Sequence, residues 1–183
     1  NAKKHIICEK SLAQNYSAVQ EMISVCKKND VVLFENFMCA YHSQHEKAKE
    51  AIAKGELGDP VVFTGHFGFP PLNEDNFRYS KELGGGSLND VGTYPVFMSR
   101  FIFEEEPIAV TCFLEKCTER DIDIRGSAFL EFPNAKIGFI SFGFDNVYQN
   151  NYSVWGNKGL LKVDRAYSIP KDAEPSITLL KNE

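Results

Sequence analysis

Asp90 and Tyr94 stand four residues apart in "ELGGGSLNDVGTYPV" (82–96), directly behind three consecutive glycines. On a helix this spacing puts a carboxylate and a phenol on one face, about 5–6 Å apart at Cβ. The glycines permit a sharp turn and the close approach of a flat ligand. Each residue also has a plainer reading. Asp90 suits the first turn of a helix, where a carboxylate meets the positive end of the macrodipole, and Tyr94 suits a core aromatic with a satisfied hydroxyl. Pro95 predicts that the helix either kinks here or properly begins near Gly92. Glu9–Lys10 is a second candidate, because it closes the apolar run "HIIC" (5–8) where a buried parallel strand would reach its carboxyl end. An isolated Glu-Lys pair is otherwise an ordinary solvated surface pair. His42, His45 and Glu46 have the spacing of one helix face, but no further ligand cluster follows, so they read as helix-surface residues and no metal is expected. Gly84–Gly86 is not a phosphate loop, since no Lys-Ser/Thr follows it.

The elements that must position these residues change character along the chain. "AVQEMISVCKKND" (18–30) places Val19, Met22, Ile23 and Cys26 at helical spacing, with Ser17 and Gln20 as a candidate capping box. "VVLFENFM" (31–38) reads as a second strand. "QHEKAKEAIAKGELGDP" (44–60) reads as a helix with Ala48 and Ile52 inward, ended by Gly55. Strand, helix, strand, helix predicts α/β with a parallel sheet. After Pro60, "VVFTGHFGF" alternates. From Pro107 onward, "IAVTCFLEK", "DIRGSAFLEF", "KIGFISFGF", "NYSVWGNKGLLKVD" and "SITLLK" are separated by turn chemistry such as "PNA" and "GNKG". That pattern predicts a mostly antiparallel sheet. Phe63, Phe67 and Phe69 alternate and read first as core; with Arg78 they also suit the wall of a pocket for a sugar ring or phosphate-bearing group. Phe142, Phe144 and Tyr148 read as exposed aromatics of an interface.

Composition narrows the function classes. The 183 residues are 43% hydrophobic and 25% charged with a net charge of −5, which is globular composition with no basic stripe for nucleic acid. No apolar run approaches the roughly 18 residues needed to cross a membrane. The five cysteines, odd in number and without a CxxC, read as buried free thiols of a reducing, cytoplasmic compartment.

Taken in order, "CEKS", "FENFMCAYHSQ", "GELGDPV" and "FRYSKELGGGSLNDVGTYPV" resemble the glucose–fructose oxidoreductase/inositol dehydrogenase (Gfo/Idh/MocA) family. The resemblance covers essentially the whole chain, most strongly residues 6–103. It implies an N-terminal Rossmann domain, of which residues 1–38 would be the last part. Residues 39–183 would then be an incomplete α/β substrate and oligomerisation domain with a large open sheet. It further implies an NAD(P)-dependent oxidoreductase moving hydride between a nicotinamide cofactor, NAD or NADP, and a carbonyl or hydroxyl of a sugar, sugar nucleotide or polyol. By the same resemblance, Glu9 and Lys10 are the cofactor-side motif, and Lys10, Asp90 and Tyr94 are catalytic. Arg78, Tyr41 and His42 are candidate substrate contacts, and the sheet would join a homodimer or homotetramer. A free tyrosine titrates near pH 10, so a lysine ammonium beside it, stabilising the phenolate, would fit Tyr94 to proton transfer near neutrality. Asp90 would orient Lys10 or hold a sugar hydroxyl.

Three positions depart from the family pattern. Ser11 stands where Pro is usual, Ala40 where Arg is frequent and Ser43 where Pro is frequent, which implies an altered active-site wall. Only nine residues precede Lys10, where relatives carry a glycine-rich dinucleotide fingerprint, so the chain reads as a fragment from the middle of a longer protein. Two other readings compete: a non-catalytic folding and oligomerisation module, and a cofactor-retaining hydrolase of the same superfamily.

Overall fold

The computed structural model describes residues 2–174 and 176–181. The chain divides into two compact units, Asn1–Met38 and Cys39–Glu183.

The first unit is a strand–helix–strand. β1 (Ile6–Glu9) and β2 (Leu33–Asn36) pair in parallel, with Ile6 opposite Leu33 and Glu9 opposite Asn36. α1 (Tyr16–Lys28) connects them. The helix cap is Asn15 rather than the expected Ser17–Gln20 box: the Asn15 carboxamide oxygen accepts from Ala18 N–H at 3.0 Å, and the Ser17 hydroxyl donates to the same oxygen. Asn15 takes the role because its extended backbone (φ −155°) lets the side chain fold back over the first turn. Parallel strands are ordinarily covered on both faces. Here Ile6, Ile7 and Phe34 are exposed, so the reading of β1 as a buried strand is not met within this unit.

The second unit is built on a seven-stranded sheet. Its strands are β3 (Pro60–Gly68), β4 (Ala109–Cys117), β5 (Ile122–Glu131), β6 (Ile137–Gly143), β7 (Gln149–Gly156), β8 (Gly159–Asp164) and β9 (Ile177–Lys181). The order is β4-β5-β6-β3-β7-β8-β9, and every pair is antiparallel except β3–β6. The mostly antiparallel sheet read from the alternation is therefore present.

Register sorts the side chains into two faces. Phe63, Gly65 and Phe67 of β3 stand beside Ile140 and Phe142 of β6 and Tyr152 and Val154 of β7. α3 (Thr93–Phe103) covers this face with Tyr94, Pro95, Met98, Ile102 and Phe103. Fully buried side chains such as Phe63 and Met98 stabilise the fold by about 1.5–3 kcal/mol each. The other face carries Phe113, Phe139, Trp155 and Leu180, all exposed.

This sorting corrects three sequence expectations. Phe142 and Phe144 are buried, not exposed, whereas Tyr148 is exposed as read; the sheet's other face exposes Phe113, Phe139 and Trp155. Phe69 lies beyond the end of β3 and stacks on Phe144 at 5.1 Å instead of continuing the strand face. The cysteines are not uniformly buried: Cys26 and Cys39 are, Cys8 and Cys117 are half-buried and Cys112 is exposed.

α2 (Ser43–Ala53) is capped by His42, whose Nδ1 accepts from Gln44 N–H at 3.3 Å, and ends before Gly55 at φ +72°. His45 is fully buried rather than on the helix surface. Its ring stacks on Tyr152 at 5.6 Å; Nδ1 pairs with the Tyr152 hydroxyl at 3.0 Å, and Nε2 with the Ala166 carbonyl at 2.9 Å. No helix among the described residues is long and apolar enough to cross a membrane.

Burial lowers the His45 pKa from 6.5 to about 4, outweighing the Ala166 hydrogen bond that opposes the shift. The unfolded chain therefore binds a proton that the folded chain refuses. Stability falls as pH drops below about 6.5 and stops falling from this source near 4, a loss of about 3 kcal/mol in all. Urea titrations at pH 7 and pH 4 measure that loss. His45→Gln, which cannot titrate, removes this component of the pH dependence.

Candidate active site

The three glycines brace a loop. Phe77–Tyr79 forms a short 3-10 turn whose first N–H groups meet the Asn76 side chain, which accepts from Arg78 N–H at 3.1 Å. Gly85 N–H donates to Ser80 O at 2.8 Å and Gly86 N–H to Arg78 O at 3.1 Å. A Cβ on Gly85 would press into the carbonyl oxygens of Arg78 and Ser80, the latter at 2.7 Å. The close approach that requires glycine here is to this loop's own backbone.

Leu88–Gly92 is a π-helical turn that runs directly into α3. Thr93 N–H reaches back five residues to Leu88 O. This wide turn absorbs Pro95, which has no N–H to donate to Val91 and whose ring would crowd that carbonyl in a regular helix. The helix thus begins at Thr93, as one of the two alternatives read from Pro95. The turn's leading N–H group is satisfied from across the sheet. Asp123 on β5 accepts from Leu88 N–H at 2.6 Å and from the Ser87 hydroxyl at 2.7 Å.

Within the second unit the structure brings Arg78, Asp90 and Tyr94 onto neighbouring elements. Arg78 Nε donates to Asp90 Oδ2 at 2.6 Å, with side-chain exposures of 30% and 14%. The guanidinium also lies over the Phe77 ring at 4.6 Å and toward Phe69 at 5.9 Å. One turn on, Tyr94 is 8% exposed. Its ring meets Phe67 edge-on at 5.2 Å and Tyr167 at 5.8 Å.

Tyr41 and His42 lie on a different element, the turn leading into α2. Tyr41 is exposed. His42 lines a shallow depression of about 490 Å³ with Lys47 and Glu174. In the first unit, Glu9 closes β1 and its Oε1 accepts from Asn36 Nδ2 at 2.6 Å. Lys10 follows at the carboxyl end of the strand. The Lys10–Ser11 peptide is cis, and Leu12 N–H donates to Glu35 Oε1 at 2.7 Å, holding the loop against β2. No group of three or more His, Cys, Asp or Glu that could hold a metal ion occurs among the described residues.

Sequence reasoning singled out both Arg78 and Asp90 but missed that they pair, and it missed Asp123 altogether. The spacing of Asn76, Arg78 and the glycines carried a loop signal. Nothing local to Asp123 announced its role, because the N–H it satisfies lies 35 residues earlier.

Gly85→Ala is expected to destabilise the protein by about 1–3 kcal/mol, since its backbone neighbours cannot yield as a side-chain tip would. A drop in the thermal unfolding midpoint measures it; an unchanged midpoint would contradict the bracing role.

Comparison with known proteins bears on the whole arrangement. The chain is 30% identical over 97% of its length to dTDP-3,4-didehydro-2,6-dideoxy-alpha-D-glucose 3-reductase of Saccharopolyspora spinosa, covering 54% of that protein. It is likewise 30% identical over 95% of its length to D-xylose 1-dehydrogenase (NADP(+)) 2 of Haloferax volcanii, covering 53% of it. A 3-ketoreductase from Actinomadura kijaniata, solved with NADP and TDP-benzene, superposes with a TM-score of 0.90 at 26% identity, over 98% of this chain and 55% of that one. The same enzyme has been solved with a tyrosine replaced by phenylalanine and with a lysine replaced by alanine. The chain thus spans about half the length of the relatives it matches. Residues 45–162, most of the second unit, match the family model described as the GFO/IDH/MocA C-terminal domain, and the chain belongs to the Gfo/Idh/MocA family.

Proposed function

We propose that the protein carrying this chain is an NAD(P)-dependent oxidoreductase that transfers hydride between nicotinamide and a carbonyl or hydroxyl of a sugar, sugar nucleotide or polyol. Lys10, Asp90 and Tyr94 serve the proton chemistry. One observation carries the reading. In the 3-ketoreductase the replaced lysine and the replaced tyrosine are separated by as many residues as Lys10 and Tyr94 are here. The named activities of the relatives support the substrate class, and NADP in two of those names supports the phosphorylated cofactor.

The residues present fit the reacting end of such a cofactor. Lys10 stands just beyond the carboxyl end of a parallel strand pair, where open α/β sheets receive their ligands. The exposed Ile6, Ile7 and Phe34 suit a strand pair that belongs to a larger, covered parallel sheet, so residues 1–38 are assigned to a dinucleotide-binding domain and 39–183 to the substrate domain. Glu9 holds the strand end through Asn36. The nicotinamide supplies or accepts the hydride. As a carbonyl is reduced, Tyr94 gives its hydroxyl proton to the developing alkoxide, and the Lys10 ammonium serves the same proton transfer as a positive charge that favours the negative charge formed. Asp90 positions the reacting carbon by holding a sugar hydroxyl, and Tyr41 and His42 contact the sugar or its substituents.

The open face of the sheet joins copies of the protein into a homodimer or homotetramer. Phe113, Phe139 and Trp155, exposed on one flat surface, support this. The thiols and the lack of any membrane-crossing helix among the described residues are compatible with a cytoplasmic enzyme.

Tyr94→Phe and Lys10→Ala in the intact protein are each expected to lower kcat by about 10²–10⁴-fold, followed by nicotinamide absorbance with sugar-nucleotide and aldose substrates. Turnover at the wild-type rate in both variants would sink the reading. Separately, Phe113→Glu combined with Trp155→Glu is expected to yield monomers by light scattering, with the melting temperature of the isolated chain little changed.

A further inference from the structure

Arg78 and Asp90 are joined twice, and the joint runs through one glycine. Gly86 N–H donates to Arg78 O at 3.1 Å, and Gly86 O accepts from Asp90 N–H at 3.2 Å. The Arg78 Nε to Asp90 Oδ2 bond at 2.6 Å then closes a ring made of two backbone links and one ion pair. Arg78 is held from its other side too, with its guanidinium carbon 4.6 Å from the centre of the Phe77 ring. The pair is only partly hydrated. At 14% exposure the Asp90 side chain is largely withdrawn from water, so its ion pair with Arg78 is less screened than an open surface pair would be. The Nε–Oδ2 bond and the two backbone links through Gly86 together restrict where the carboxylate can point.

From this geometry we infer that Arg78 is a positioning residue for the proposed reaction. It holds the Asp90 carboxylate in one orientation, one turn ahead of Tyr94, and acts on turnover through Asp90 rather than by gripping the substrate. The inference rests on the function proposed above, in which Asp90 positions the substrate for the proton transfer. It gives the "FRYSKELGGG" loop a mechanical role, in which the glycines bring Arg78's backbone to the π-turn and Arg78 locks the residue that the turn carries.

The test uses the intact protein and four variants, Arg78→Ala, Arg78→Lys, Asp90→Asn and the Arg78→Ala/Asp90→Asn double, with Lys10→Ala and Tyr94→Phe measured alongside. Arg78→Ala is expected to lower kcat by about 10–100-fold while KM moves by less than about threefold. The double variant should be no slower than Asp90→Asn alone, because the arginine has nothing left to position. Guanidinium ion added at millimolar concentration should restore part of the kcat of Arg78→Ala, which a general folding defect would not allow. Arg78→Lys, which keeps the charge but loses the planar fork, should fall between wild type and Arg78→Ala. A rise in KM at unchanged kcat, or additive losses in the double variant, would place Arg78 on the substrate and overturn the inference. Unchanged kinetics in Arg78→Ala, with Lys10→Ala and Tyr94→Phe both impaired, would overturn it while leaving the proposed function standing. Full activity in Lys10→Ala and Tyr94→Phe would remove both.

Discussion

Everything that carries the candidate chemistry in the second unit hangs on how closely α3 lies on β3. At Gly65 a Cβ would stand 2.9 Å from Pro95 Cβ and 2.9 Å from the Tyr167 hydroxyl, so no side chain fits between helix and sheet there. At Gly92 the π-turn meets Phe142 in the same way, with 3.1 Å left for a Cβ. Two points of contact fix both the height and the rotation of the helix. Tyr94 then has one place to go, edge-on to Phe67 and against Tyr167. Asp90 follows, because it rides on the turn that Gly92 closes. The Arg78 loop follows last, braced on Gly85 and Gly86.

The two faces of the sheet are finished to different degrees. The face under α3 is closed by aromatic rings, with His45, Tyr152 and Phe63 stacked in series at 5.6 and 5.5 Å. Burial drives the Tyr152 and Tyr167 hydroxyls toward their neutral forms, chiefly by desolvation, so these phenols act as hydrogen-bonding wedges rather than as acids. The opposite face is a mixture of exposed aromatics with Ser127, Ser141 and the Arg125–Glu115 ion pair. A shallow hollow of about 340 Å³ on that side includes His66, whose half-burial also favours the neutral ring. One surface is finished and the other is not.

How much of this was legible beforehand depended on distance along the chain. α1 could be read from Val19, Met22, Ile23 and Cys26 because a helix is written in neighbours three and four apart. The alternating segments after Pro107 announced strands for the same reason. Which face each residue takes was harder. Phe142 and Phe139 differ by an odd step and so must face opposite ways, and only pairing with β3 decides which way is in. His45 carries no local sign of burial, because the hydroxyl that satisfies it belongs to Tyr152, 107 residues later. The Asp90–Tyr94 spacing and the glycines were visible at once. What the glycines brace was not, since Gly85 and Gly86 donate to the carbonyls of Ser80 and Arg78 in a loop that doubles back. The Arg78–Asp90 ion pair joins residues only 12 apart, yet it needs the loop to double back, which no periodicity encodes.

The one parallel pair of the seven-stranded sheet among the described residues, β3–β6, also sets an order of events during synthesis. β3 leaves the ribosome at residue 68 with neither neighbour available: β6 begins at Ile137 and β7 at Gln149. α3, which begins at Thr93 and so is made before both, has no finished floor to land on until they follow. Meanwhile β4, β5 and β6 can zip together as a local antiparallel meander. That meander must then dock beside β3 as a preformed block, a step dominated by contacts distant in sequence and therefore slow. Until it does, the apolar side of α3, with Met98, Ile102 and Phe103, is exposed to whatever is nearby. The helix that carries Tyr94 is thus translated well before the floor it needs, and is among the last parts to be placed.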